Sequence, residues 1–162
     1  MLITRRTSVF RLLSLGFVFP LAACKPENNP ENSSTKKEIV MDVVIYSYLN
    51  RSIFDVYLNS NDIGVAAPFG GGGVVTGVAI TFGLQALKWT LDGPEGMPGN
   101  GDKVIAKNKL TLDPSLIPAG SYYMAVHIYP DDTAELSFSK RIPERSIRGM
   151  KIVEEFQKHH GQ

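Results

Sequence analysis

Cysteine is nearly absent from this chain: one residue, Cys24, among 162. A single thiol cannot build a disulfide scaffold, a CxxC redox pair or a multi-cysteine metal site within the chain. Surplus charge is lacking too. Seventeen Lys+Arg face 16 Asp+Glu, which argues against a dedicated nucleic-acid binder, whose phosphate contacts require a basic excess. Histidine is scarce, and two of the three, His159 and His160, are adjacent, so on a helix they project in different directions. No metal site and no cofactor is expected. No Ser sits in a G-x-S-x-G elbow, and Gly70–Gly73 is followed by Val74-Val75-Thr76 where a phosphate loop needs Lys-Ser/Thr. What is present is 43% hydrophobic residues, enough for one domain with a real core.

The first 23 residues read as a secretory signal. Arg5, Arg6 and Arg11 precede an apolar run from Leu12 to Ala23; at about a dozen residues it is too short to span a ~30 Å hydrocarbon core permanently. Without these three arginines, 14 bases face 16 acids, so the remainder is slightly acidic. Arg5-Arg6 hints at the twin-arginine route, but Thr7-Ser8-Val9-Phe10 continues that motif poorly and the general secretory route is favoured. The run ends in Leu21-Ala22-Ala23-Cys24, which resembles a bacterial lipobox. That resemblance implies lipidation at Cys24, cleavage before it and a stable membrane anchor, since two or three acyl chains hold where one does not. The residue after Cys24 is Lys25 and not the Asp of the inner-membrane retention rule. The expected place is therefore the outer membrane, facing the periplasm, and the same anchor is compatible with surface display.

Residues 24–37 form a lipidated tether rich in Pro, Asn, Ser and charge, with no aliphatic side chain. Such a segment cannot bury enough area to offset its ordering entropy. The 13 residues after Cys24 would span roughly 20 Å as a coil and about 43 Å fully extended.

From Glu38 the dominant period is two, the signature of strands with one buried face. Met41, Val43 and Ile45 share a face, as do Phe54, Val56 and Leu58, and Leu87, Trp89 and Leu91. Tyr122, Met124, Val126 and Ile128 alternate with Tyr123, Ala125, His127 and Tyr129; Leu136 and Phe138 bracket Ser137. Val104, Ala106, Leu110 and Leu112 are read as one further face interrupted by Asn108. Turn chemistry separates these runs at Asn50–Ser52, Asn59–Asp62, Asp113-Pro114, Pro118–Gly120 and Pro130–Asp132, and at the long Asp92–Asp102 loop. About seven short strands with such spacing predict an all-β domain over 38–142, an antiparallel β-sandwich of immunoglobulin-like architecture. Over 143–162, Ile147, Met150, Val153 and Phe156 fall three apart and predict a short amphipathic helix or a tail. Gly149 stands as a flaw in that helix, and Lys158–Gln162 are expected to be disordered.

Several residues invite a chemical reading and have a plainer one. His127, mid-strand, could serve a hydrolase together with an acid from Asp92–Asp102, but a hydrogen-bonded structural histidine is favoured. Asn59, Asn61 and Asp62 before Gly64 lack the spacing and the bidentate acid of a calcium loop. Asp131 and Asp132 read as turn residues. Trp89 could anchor an interface, but its regular apolar strand face favours the core. Gly70–Gly73 reads as a hinge or bulge between strands.

The lipobox, Asn50–Asn59 (NRSIFDVYLN), the Gly70–Gly73 run, Lys88–Leu91 (KWTL), Asp92–Gly96 and Ala125–Asp132 together resemble an uncharacterised family of small Gram-negative lipoproteins. The resemblance spans most of Ile45–Pro143. Members often lie beside type VI secretion effectors, including membrane-targeting lipases, which implies a periplasmic immunity role and a protein partner, the effector toxin. No catalytic residue carries over from it. The expected function is thus a non-enzymatic, membrane-tethered binding lipoprotein; a structural or assembly lipoprotein of the envelope is the alternative. Sandwich strands commit their apolar faces to the core, so partner recognition is expected on loops. Phe69, Gly70, Gly71, Gly72 and Gly73 form the first candidate, where missing side chains expose backbone. Glu95 and Met97 form the second, a charge and an adaptable apolar contact stiffened by Pro94 and Pro98.

Overall fold

A computed structural model describes residues 37–161. The leader, Cys24 and residues 25–36 of the tether lie outside the described residues, as does Gln162. The elements in chain order are β1 (Glu38–Ser47), β2 (Ile53–Leu58), β3 (Asn61–Ala66), β4 (Gly71–Thr81), β5 (Gly83–Gln85), β6 (Leu87–Leu91), β7 (Lys103–Ile105), β8 (Leu110–Leu112), β9 (Tyr123–Ile128), β10 (Ala134–Ser139) and the helix α1 (Ile147–His160).

The fold is an all-β sandwich. One sheet has the order β10-β9-β1-β4, the other β3-β2-β6-β7, and β5 and β8 form a small two-stranded sheet. The strand pairs are antiparallel except one: β1 and β9 run parallel from Asp42↔Tyr123 to Ser47↔Ile128. Parallel pairing needs a crossover. Here about 75 residues of chain, including the whole second sheet, lie between the two strands, so no local turn announces the pair.

The alternation predicts the core well. Met41, Val43 and Ile45 meet Met124, Val126 and Ile128 on the inner face of the first sheet, and Leu87 and Trp89 face them from the second. Trp89 is 1% exposed and belongs to this core.

Two expected faces shift, and the glycine run takes a different place. In β2 the buried residues are Ile53, Val56 and Leu58, with Phe54 only half-buried. The cause is Asp55, whose φ of 49° makes a bulge that breaks the register with β6 between Phe54 and Tyr57 and changes the phase of the strand. The expected face Val104–Leu112 divides between two sheets: β7 pairs with β6, and β8 with β5. Asn108 lies between them, its amide donating to Ala134 O and accepting from Ala134 N, both at 2.8 Å. Finally, Gly71–Gly73 open β4: Gly71 pairs with Tyr46, and the register with β1 shifts between Val44 and Tyr46, so the glycines carry the expected bulge inside the strand and not a hinge between strands. A side chain on Gly72 would overlap the Val65 carbonyl, whereas Gly73 has open space beside it, so the close approach of β4 to β3 demands a glycine at Gly72 alone.

Helix α1 is well capped. Ser146 Oγ accepts from Gly149 N, and Gly161, left-handed at φ 67°, closes the C-terminus through Gln157 O. Residues 158–161, expected to be disordered, are thus the last turn and cap of a helix. The predicted apolar face is also rotated: Ile147 is 72% and Met150 44% exposed. The face turned to the sheet runs through Gly149, Ile152, Val153 and Phe156.

Candidate functional site

The outer face of the first sheet carries Tyr46 and Tyr48 from β1 and its end, and His127 and Tyr129 from β9 and its end. Strand alternation places them opposite the core, yet three are buried, because α1 lies over them. Gly149 is the point of closest approach, where a Cβ would overlap the Tyr48 ring. The glycine that reads as a flaw in the sequence is the residue that admits the sheet's aromatics.

The rings form a ladder, with Tyr46–His127 centroids at 5.5 Å, Tyr48–His127 at 6.0 Å and Tyr48–Tyr129 at 5.2 Å, all stacked. Their polar atoms are paired through the helix start. Tyr48 OH accepts from Ser146 N at 2.8 Å and lies 3.1 Å from His127 Nδ1. The other ring nitrogen, Nε2, lies 3.0 Å from Ser137 Oγ. Tyr129 OH donates to Glu135 Oε2 at 2.7 Å and lies 2.8 Å from Ser146 Oγ. Tyr46 OH donates to Pro143 O. Burial raises the pKa of Tyr129 and of Tyr46. Burial also lowers His127 to about 4, against a smaller upward pull from Glu135. A histidine with both nitrogens engaged and its neutral form favoured is a structural pin. The structure does not join it to an acid of Asp92–Asp102: its carboxylate neighbour is Glu135, and that loop belongs to the other sheet.

Arg148 locks the outer margin. Its guanidinium lies 3.8 Å from the Tyr129 ring centre, pairs with Asp131 at 2.8 Å and reaches Glu135 at 3.4 Å. Asp132 pairs with Lys107 at 2.8 Å. The turn aspartates therefore fasten two neighbouring segments, although exposed pairs of this kind add at most ~1 kcal/mol each.

The two loops expected to bind a partner meet at one end of the sandwich, on either side of the link Leu49–Ser52. On one side Phe69 N donates to Leu49 O at 2.8 Å. Phe69 has a φ of 48°, and its ring packs 4.6 Å from that of Phe156 on α1, so this side chain is occupied internally. On the other side Asp92 N donates to Ser52 O at 3.0 Å. Arg51 reaches Asp92 O and Pro98 O, each at 2.8 Å. Successive turns, Met97 N to Pro94 O, Asn100 N to Met97 O and Asp102 N to Gly99 O, set the long loop in one shape. Glu95 is exposed, while Met97 is half-buried and folds over Gly93. A groove of about 320 Å³, lined by Ser52–Phe54, Val65–Ala67 and Asp92, lies between the two segments.

Among the described residues, no group of three or more His, Cys, Asp or Glu is arranged to hold a metal ion, and no helix is long and apolar enough to cross a membrane. Asn59 is engaged with Gln85 and Ala86 and not with a cation loop. The class defined by this geometry is an all-β sandwich with a docked C-terminal helix. No protein-family model matches the chain, and neither a curated protein nor a solved structure does.

Proposed function

We propose that this chain is a lipid-anchored periplasmic binding protein that captures a protein partner at the end of the sandwich built around Leu49–Ser52. The observation that carries the proposal is the convergence of two segments, 67–73 and 92–102, on one hydrogen-bonded link with a groove between them. Loops held this way lose little entropy on docking, so contact energy is retained as affinity. The lipobox at Cys24 supports anchoring at the outer membrane. Confinement to that layer raises the local concentration against anything acting there. The family resemblance supplies the partner: a type VI secretion effector such as a lipase, which the chain neutralises without catalysis of its own.

The test is survival under attack. Cells lacking the chain are mixed with siblings that fire an active secretion system, and the deletion is complemented with the parent or with Glu95→Ala/Met97→Ala. The parent should restore survival, and the double variant should bind the effector at least about tenfold more weakly, the loss of one modest hot spot. Equal survival with and without the chain contradicts the immunity role. An envelope defect in the absence of any attacker would favour the structural or assembly reading instead.

A further inference from the structure

Among the described residues no helix lies over the outer face of the second sheet, which carries an enclosure of its own. At the bulge of β2 a cavity of about 250 Å³ is lined by Asp55, Tyr57, Lys88, Trp89, Thr90 and Lys103. It exists because the β2–β6 ladder loses register between Phe54 and Tyr57. Asp55 holds a left-handed backbone with φ 49° to make that break. A non-glycine residue in this region is strained, and such strain clusters at binding and switch sites. Bulges likewise re-aim side chains beside sites.

The lining is rich in hydrogen-bond donors. Lys88 Nζ stands 4.8 Å over the Tyr57 ring centre, and Lys103 is the cross-strand partner of Thr90. The ion pairs found among the described residues engage Lys107 and Arg148, and leave Lys88, Lys103 and Asp55 without a charged partner. Two ammonium groups against one carboxylate give the lining a net positive charge. Trp89 is part of the lining, but its ring packs in the core on the other side of the sheet and is 1% exposed, so its indole N–H is a buried reporter beside the cavity. Beside the cavity, Ile105 pairs with Lys88 across β6–β7 and is 68% exposed, an apolar rim next to a cationic pocket.

We infer that this cavity is a second binding site, which takes the carboxylate of an acidic side chain presented by a protein partner. Its volume corresponds to roughly eight water molecules, below the usual range for drug-sized ligands and suited to one side chain. The ammonium groups of Lys88 and Lys103 meet the carboxylate, Tyr57 flanks its methylenes, and the partner's adjacent apolar residues cover Ile105. A free small dicarboxylate shares the anionic chemistry but leaves Ile105 in water. The site stands whether or not the Leu49–Ser52 end binds an effector.

The experiment exploits the single tryptophan of the chain, whose indole N–H gives one resonance. The isotope-labelled full chain is titrated with N-acetyl-glutamate N-methylamide, with the isosteric glutamine compound, and with the acetylated tripeptide amide Leu-Glu-Leu. The indole N–H and the backbone amides of Thr90 and Lys103 are followed together. The expected result is a saturable shift with both glutamate probes and none with the glutamine compound. The tripeptide should bind at least about tenfold tighter than the single residue, and Lys88→Met/Lys103→Met should weaken both by at least about tenfold. Both lysines are exposed, so that variant keeps its fold, checked by its far-UV spectrum. No saturable shift, an equal response to glutamine, or undiminished binding by the double variant overturns the site. Equal affinity for the single residue and the tripeptide overturns its assignment to a protein side chain.

Discussion

The two outer faces of the sandwich carry similar residue types and use them in opposite ways. On the first sheet, tyrosines and a histidine lie under α1, whose Arg148 stacks on the Tyr129 ring, and their polar atoms are paired within the fold. On the second sheet, Tyr57, Lys88, Lys103 and Asp55 surround an open cavity, and no helix among the described residues covers them. A satisfied buried network fixes one arrangement and leaves nothing for a ligand. An unsatisfied, half-open one leaves donors available. The titratable group that looks most chemical in the sequence, His127, is thus architectural, while Lys88 and Lys103, ordinary wet-face residues in the sequence, have no charged partner among the described residues.

The comparison can be broken most severely at Gly149. Gly149→Leu drives a side chain into the Tyr48 ring and should cost about 3 kcal/mol or more in denaturant unfolding, with α1 released. A Leu that leaves stability unchanged would mean that the helix does not seat there.

Acid should act next on the covered face alone. Burial lowers His127 to about 4 in the folded state, against about 6.5 when unfolded. Below pH 6.5 the unfolded chain takes up a proton that the folded chain refuses. Stability should therefore be full above about 6.5, fall on acidification by on the order of 2–3 kcal/mol, and level off below about 4. Asp131 and Asp113, both lowered chiefly by side-chain hydrogen bonds, lose their contribution only below the ordinary aspartate range, so their effect falls in a separate, lower window. Urea midpoints against pH would show the His127 limb, and His127→Phe should remove it.

A smaller effect is expected from Tyr48→Phe. Deleting this hydroxyl orphans Ser146 N and His127 Nδ1, each a buried donor or acceptor, for about 1–2 kcal/mol. On the open face the smallest effect is expected: Lys88→Met/Lys103→Met should stay within about 0.5 kcal/mol of the parent in the same measurement. A large loss there would mean that those lysines support the fold.

Wherever one face of a strand is apolar and the other wet, the alternation was enough to place the core, as for Leu87 and Trp89 or Met124, Val126 and Ile128. The turn residues placed the loops, including Asp92–Asp102. What failed depends on contacts distant in sequence. The parallel β1–β9 pair has no turn to mark it, and Asp55 shifts the face of β2 through a backbone angle that its residue type does not demand. Gly149 is a weak helix residue until the Tyr48 ring is placed against it. One signal was available: Tyr46, Tyr48, His127 and Tyr129 form an unusually aromatic set for a solvated face, which calls for a cover, and the amphipathic segment after Pro143 is the element able to supply one. The Asp92–Asp102 segment was legible as a loop, but not the placing of Gly71–Gly73 in β4, the meeting of the two segments on Leu49–Ser52 or the internal use of Phe69.

The central claim is that α1 is part of the fold while the second sheet's outer face and the Asp92–Asp102 loop are open. Amide hydrogen exchange of the full chain tests it most directly. The account predicts that Met150–Phe156 exchange only with the global opening that also frees β1 and β9, whereas the loop and β7 exchange through far smaller openings. Rapid exchange along Met150–Phe156, with β1 and β9 still protected, would contradict the account.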